Sequence, residues 1–215
     1  MENMSLFAII AKGGWLILPI ALCSLIMVAV IVERFLALRK ARINMGSFMM
    51  KIRTALGEGK VADAQRLCAE TQAPVASVFL AALEKHQQEP AEIRDSIETA
   101  ASAEIFALEK YTSVLSTIAG VAPLIGFLGT VTGMIQAFMK IQALGGNVNA
   151  DVLAGGIWQA MVTTAAGLSV GIPALIFYNY FVRRVEKMAF EMERGSAQLL
   201  DLLDANARKN DAAEN

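Results

Sequence analysis

The sequence predicts an all-α integral membrane protein: three transmembrane helices with long helical extensions on the cytoplasmic side. Three observations predict it. Three long stretches lack Asp, Glu, Lys and Arg, cations gather at one side of them, and the intervening segments keep a helical apolar period. Hydrophobic residues make up 55% of the 215, and the mean hydropathy is +0.49. That is too apolar for an ordinary soluble domain of this length.

The uncharged stretches run from Gly13 to Val32, Tyr111 to Met139 and Val152 to Val182, which is 20, 29 and 31 residues. As α-helices they reach about 30, 44 and 46 Å at about 1.5 Å per residue. Each crosses a hydrocarbon core of about 30 Å, and the second and third are long enough to tilt or project beyond it. A cleaved signal peptide is the competing reading of the first stretch, but it needs cations before the apolar core. Here Glu2 and Lys12 precede it, while Arg34, Arg39, Lys40, Arg42, Lys51 and Arg53 follow. The span therefore reads as an uncleaved anchor with its C-terminal end in the cytoplasm. Arg183, Arg184 and Lys187 place the end of the third span there too. The connection from Lys140 to Asp151 has one cation and the turn Gly145-Gly146-Asn147.

The expected order is a periplasmic N-terminus (1–12), the first span (13–32), a cytoplasmic helical insertion (33–110) and the second span (111–139). A periplasmic loop (140–151), the third span (152–182) and a cytoplasmic C-terminal helix and tail (183–215) complete it.

Within the insertion, Met45 to Leu56 and Val61 to Thr71 carry helical periodicity, broken at Gly57-Glu58-Gly59 and Gln72-Ala73-Pro74. Val75, Phe79 and Leu83 mark another short helix. Glu89-Pro90 signals a further helix start. From there Ile93, Ile97, Ala101, Ile105, Leu108 and Leu115 keep one apolar stripe, which predicts a single continuous helix from about Ala91 to Met139. The third span likewise continues amphipathically through Val185, Met188, Met192, Leu199, Leu202 and Leu203. Asn210 to Asn215 is a small polar tail expected to be disordered.

The second span carries Gly126, Gly129 and Gly133, and the third carries Ala160, Thr164, Gly167 and Gly171. Small residues at this spacing let helix backbones approach closely in lipid. Pro123 and Pro173 each remove a backbone donor, which neighbouring helices can compensate. Thr130, Thr132, Thr163, Thr164 and Ser169 lie deep inside the spans. Such hydroxyls either bond their own helix or line a wet path. No acidic or basic side chain lies in any span, so a protonatable relay needs a carboxylate from another polypeptide.

The run from Gly126 to Met134, Gly-Phe-Leu-Gly-Thr-Val-Thr-Gly-Met, resembles the second-span motif of ExbB, TolQ and, more distantly, MotA. The run from Gly155 to Leu168, followed by Gly171-Ile172-Pro173-Ala174 and Asn179, resembles the third-span motif. The resemblance implies a bacterial inner-membrane, pore-forming stator subunit arranged as a homo-pentameric ring. A dimer of single-span partners resembling ExbD or TolR would fill the pore and bring the membrane aspartate. A TonB-like or TolA-like effector would receive the work drawn from the proton-motive force. The family's pore threonines carry over to Thr130 and Thr164. Many relatives have a glutamate where this chain has Gln159, and an amide cannot titrate. That speaks against ion uptake on a carboxylate of this subunit's own, and makes a non-conducting scaffold of the same fold the alternative function. Gln159 and Thr163 share a helix face and are expected beside the ion pathway with Thr130 and Thr164, although Thr164 lies about 140° from Gln159.

Other classes fare worse. A net charge of −1 offers no basic excess for nucleic acid. Cys23 and Cys68 are far apart, and His86 stands alone in a charged stretch, so neither a disulfide framework nor a metal site is expected. No nucleophile–base pair appears and the glycine strings lie inside apolar spans, so neither an enzyme nor a cofactor is expected. The orientation is open to cysteine labelling in intact cells: a probe at Asn147 reacts from outside, while probes at Lys60 and Arg194 stay protected. The reverse pattern overturns the reading.

Overall fold

The computed structural model describes residues 14–143 and 150–214, with side chains described from 14 to 143 and from 154 to 206. The N-terminal segment 1–12, Gly13 and the centre of the connection between the second and third spans lie outside these residues. The described residues form seven α-helices and no strand: α1 (Ile17–Lys40), α2 (Met45–Gly57), α3 (Val61–Glu70), α4 (Pro74–Glu84), α5 (Pro90–Glu109), α6 (Thr112–Ala143) and α7 (Ala150–Glu214). Among the described residues three helical stretches are long and apolar enough to cross a membrane, and each overlaps one of the three predicted spans. The expected all-α membrane architecture is therefore present. The chain passes between two compact units at Glu33/Arg34, Lys110/Tyr111 and Tyr180/Phe181.

The first unit holds the apolar part of α1, all of α6 and the apolar part of α7. Leu18, Leu22 and Leu25 on α1 are 73%, 59% and 71% exposed. Leu124 and Phe127 on α6, and Ile172 and Ile176 on α7, also face outward. A contiguous apolar surface of this kind needs lipid or other helices to cover it.

The second unit has a core of its own. Phe48, Ile52 and Leu56 of α2, Ala64 and Cys68 of α3, and Val75, Val78, Phe79, Ala82 and Leu83 of α4 are buried there. Phe48 and Phe79 stack with ring centroids 5.7 Å apart. Met192, Leu199 and Leu203 of α7 are buried as well. Gly195 lets α7 come close, because a Cβ there would overlap Met45 and come within 3.0 Å of the Phe79 ring. The breaks expected at Gly57-Glu58-Gly59, Gln72-Ala73-Pro74 and Glu89-Pro90 are present, and the structure adds a cap that was not expected. Asn44 caps α2 by accepting from the Ser47 amide at 3.2 Å, Gly59 turns at φ 73°, and Pro74 and Pro90 open α4 and α5. The Asn206 side chain donates to the Leu56 carbonyl at 3.0 Å and closes the C-terminal end of α2. Both cysteines are free, and burial pushes the Cys68 thiol up to about 12. His86 places Nδ1 2.8 Å from the Leu83 carbonyl, a helix-end contact within its own segment.

Two expectations are corrected. The continuous helix from Ala91 to Met139 is instead two helices, because Lys110 is extended (φ −48°, ψ 134°) and Tyr111 is left-handed at φ 64°. No glycine or proline marks this break, so the apolar stripe runs across it unaltered. The carbonyls freed at the end of α5 have a partner far away in sequence: Arg34 Nη1 donates to Leu108 and Ala107 at 3.2 and 3.5 Å. Arg34, read from sequence as one of the flanking cations, is only 4% exposed and serves as a cap on the negative end of α5. The C-terminal tail is the second correction, since α7 runs on to Glu214. The alanine-rich end of this helix contains no Gly or Pro to stop it.

Arg34→Leu should leave the Ala107 and Leu108 carbonyls without their donor and cost about 1.5–3 kcal/mol. Arg34→Lys should recover part of the loss. Thermal unfolding in detergent measures both, and an unchanged midpoint for Arg34→Leu would show that the cap contributes nothing.

Candidate functional site

The candidate residues of the second and third spans come together where α6 and α7 pack antiparallel. The contact is made of absent side chains. A Cβ on Gly126 would lie 2.9 Å from the Thr163 carbonyl and 3.1 Å from Thr164 Cα, and one on Gly129 would overlap the Thr163 side chain. A Cβ on Gly133 would come 3.1 Å from Ala160. From the other helix, a Cβ on Gly156 would lie 2.7 Å from Ala137 Cβ, one on Gly167 2.5 Å from the Ala122 carbonyl oxygen, and one on Gly171 2.5 Å from Pro123 Cγ. These pairs step along both helices by one turn at a time, so backbone meets backbone over the whole contact. Pro123 lies within α6 and Pro173 within α7, each inside an unbroken helix.

The hydroxyls are nearly all turned onto their own helix. Thr130 donates to the Phe127 carbonyl at 2.6 Å, Thr132 to Leu128 at 3.0 Å, Thr163 to Ala160 at 2.8 Å and Ser169 to Ala165 at 2.8 Å. Thr164 differs. It crosses to α6 and donates to the Gly126 carbonyl at 2.9 Å. This bond exists because Gly126 and Gly167 bring the backbones within reach of a short side chain.

Burial separates the two adjacent threonines. Thr163 is 1% exposed and sealed against Gly129. Thr164 and Thr130 are half-buried, and so is Gln159. Gln159 lies on the α7 face that carries Thr163, and its amide packs on Gly14, where a Cβ would overlap Nε2. Gly14 also has φ 74°, so two independent constraints favour glycine there. Sequence reading missed Gly14 as the neighbour of Gln159. The Gly13-Gly14-Trp15 string was its signal, though a glycine pair before a span reads equally well as a loop. Among the described residues no group of three or more His, Cys, Asp or Glu could hold a metal ion.

The model of the MotA/TolQ/ExbB proton channel family matches residues 70–194, which contain Thr130, Gln159, Thr163, Thr164 and the whole α6–α7 contact. The chain belongs to that family. It is 34% identical to the biopolymer transport protein ExbB-like 3 of Synechocystis sp. over 176 residues, 79% of this chain and 81% of that one. A biopolymer transport protein ExbB homolog of Methanothermobacter thermautotrophicus is 30% identical, over 72% of this chain and 54% of its own length. The biopolymer transport protein ExbB of Pseudomonas putida is 40% identical over a shorter stretch, 43% of this chain and 28% of that protein. As a member of the MotA/TolQ/ExbB family, the chain is a multi-pass membrane protein of a transport and channel family.

The close contact makes a discriminating test. Gly129→Ala should destabilise by about 1–3 kcal/mol through overpacking, and Thr163→Ala in the same chain should relieve part of it. Gly120 and Gly155 have nothing within 4 Å of a built Cβ, so Ala at either should not destabilise, and its better helix propensity should add up to about 1 kcal/mol of stability. Thermal stability of the four variants in one detergent measures this, and equal losses at Gly129 and Gly120 would remove the packing account.

Proposed function

We propose that this chain is the pore-forming stator subunit of an ExbB/TolQ-like inner-membrane motor. Copies of it surround a dimer of ExbD/TolR-like single-span partners as a pentamer. The proton-motive force drives ion flow through the assembly, and a TonB-like or TolA-like effector carries the work to the periplasm or outer membrane. The N-terminus is periplasmic and the C-terminus cytoplasmic. The observation that carries the reading is the α6–α7 pair inside the region matched to a proton channel family, with Thr164 bonded across to Gly126.

In this reading Thr130 and Thr164 border the ion path. Both are half-buried in the single chain, and each hydroxyl oxygen keeps accepting capacity after its donated bond. Thr163 is assigned to packing, since it is sealed between the helices. The three spans contain no Asp, Glu, Lys or Arg. The titrating group is then a partner aspartate, and Gln159 acts through its amide, placed by Gly14. The same Gln159 favours a second reading, a non-conducting scaffold of the family fold, because relatives often carry a glutamate there.

Proton flux into vesicles holding the chain and a single-span partner tests these roles. Thr130→Val and Thr164→Val should each reduce flux about tenfold, the worth of one hydrogen bond of about 1.4 kcal/mol, with the assembled mass unchanged. Thr163→Val should stay within about twofold. Equal losses at all three positions would return every hydroxyl to packing, and no flux above empty vesicles would favour the scaffold. Gln159→Glu should keep function and add a pH dependence.

A further inference from the structure

The second unit carries two unpartnered surfaces of opposite character. Between α2 and α7 lies a groove of about 520 Å³. Its floor is Met49, Met50 and Phe190, with Met50 64% and Phe190 62% exposed, and its rim carries Arg53, Lys187 and Arg194. The α7 side of the groove runs from Lys187 to Gln198, one helix face about 16 Å long. Glu191 is the acidic residue in the lining, and it pairs with Lys187 at 3.8 Å.

The complementary surface is on α5. Glu92, Asp95, Thr99, Ser102 and Phe106 fall within about 40° of one line along that helix, and all five are exposed. Phe106 is 80% exposed, unusual for an aromatic ring on a charged helix. Glu98 flanks the stripe, while Arg94, the only cation on α5, lies about 120° away. The stripe cannot turn inward on its own chain: Ile93 and Leu108 hold the opposite face buried, and Ser96 donates to the Ala81 carbonyl at 3.2 Å.

We infer that the acidic Phe106 stripe of α5 docks into the basic methionine groove between α2 and α7 of a second copy of this chain. An aromatic anchor enters a floor of pliable methionines, and carboxylates meet the Arg53, Lys187 and Arg194 rim, which sets orientation. The two surfaces differ, so the contact is head-to-tail and repeats from copy to copy until a ring closes. The inference rests on the ring of the proposed function and supplies it with a named subunit interface outside the apolar spans.

A photoreactive phenylalanine analogue at position 106 of the full-length chain, in membranes, tests it. Illumination of cells holding two differently tagged copies should give a mixed dimer. Its cross-linked peptide should fall within Met45–Arg53 or Lys187–Gln198. Arg53→Glu with Arg194→Glu should lower the adduct yield at least about fivefold, and Asp95→Lys with Glu98→Lys in the facing copy should restore it to within about twofold. A mixed assembly by mass whose adduct maps to lipid, another protein or another face overturns the interface and leaves the ring standing. A monomeric mass in membranes and gentle detergent overturns both.

Discussion

In lipid, apolar side chains gain nothing by leaving one hydrocarbon for another, so helices must be held by contact between their backbones. The approach of α6 to α7 through Gly126, Gly129, Gly133, Gly156, Gly167 and Gly171 meets this requirement. Other features of the first unit follow from it. Thr164 reaches the Gly126 carbonyl because the axes are close, and Thr163 is sealed because Gly129 has no side chain. The Pro123 ring, which costs α6 a backbone donor, has a place to sit because Gly171 is bare. Trp158, Met161 and Leu168 are displaced to the outer faces, where they are exposed to whatever surrounds the chain.

The second unit answers a different solvent. Its core of Phe48, Phe79, Ile52 and Leu83 is of the ordinary hydrophobic kind, worth about 1.5–3 kcal/mol per buried large side chain. Its helix ends are tied by polar side chains of remote segments: Arg34 to α5, Asn206 to α2, and Gln65 to the Leu83 carbonyl at 2.9 Å. Water competes for such bonds at exposed ends, so the buried Arg34 contact contributes most.

What sequence alone revealed follows this division. The spans were legible because a charge-free run of 20 or more residues is costly to keep in water and natural in lipid. The short helices were legible because Gly59, Pro74 and Pro90 punctuate them. The small-residue ridges were legible as ridges, but a ridge alone does not say whether it meets its own chain or another copy, and their facing one another within one chain appears only in the structure. Tyr111 was not, since a left-handed tyrosine leaves no mark in the apolar period. Arg34 reads locally as one cation among several, and its role appears only when α5 is set beside it. Gln159 was placed on the right helix face, but its neighbour Gly14 lies at the far end of the chain, and no local pattern joins them. Thr163 and Thr164 are neighbours in sequence, and the distinction between sealed and half-open was a matter of facing partners.

The seat of Pro123 on Gly171 also has a bearing on how such chains diverge. A side chain at 171 has no room while the ring is present, and the ring loses its notch once 171 acquires bulk. The two positions are therefore sterically coupled. A lineage that abandons the proline frees the glycine to drift, whereas one that first enlarges the glycine passes through a chain whose helices no longer fit. Geometry thus sets a condition on change at either position: bulk at 171 fits only where the ring at 123 is gone.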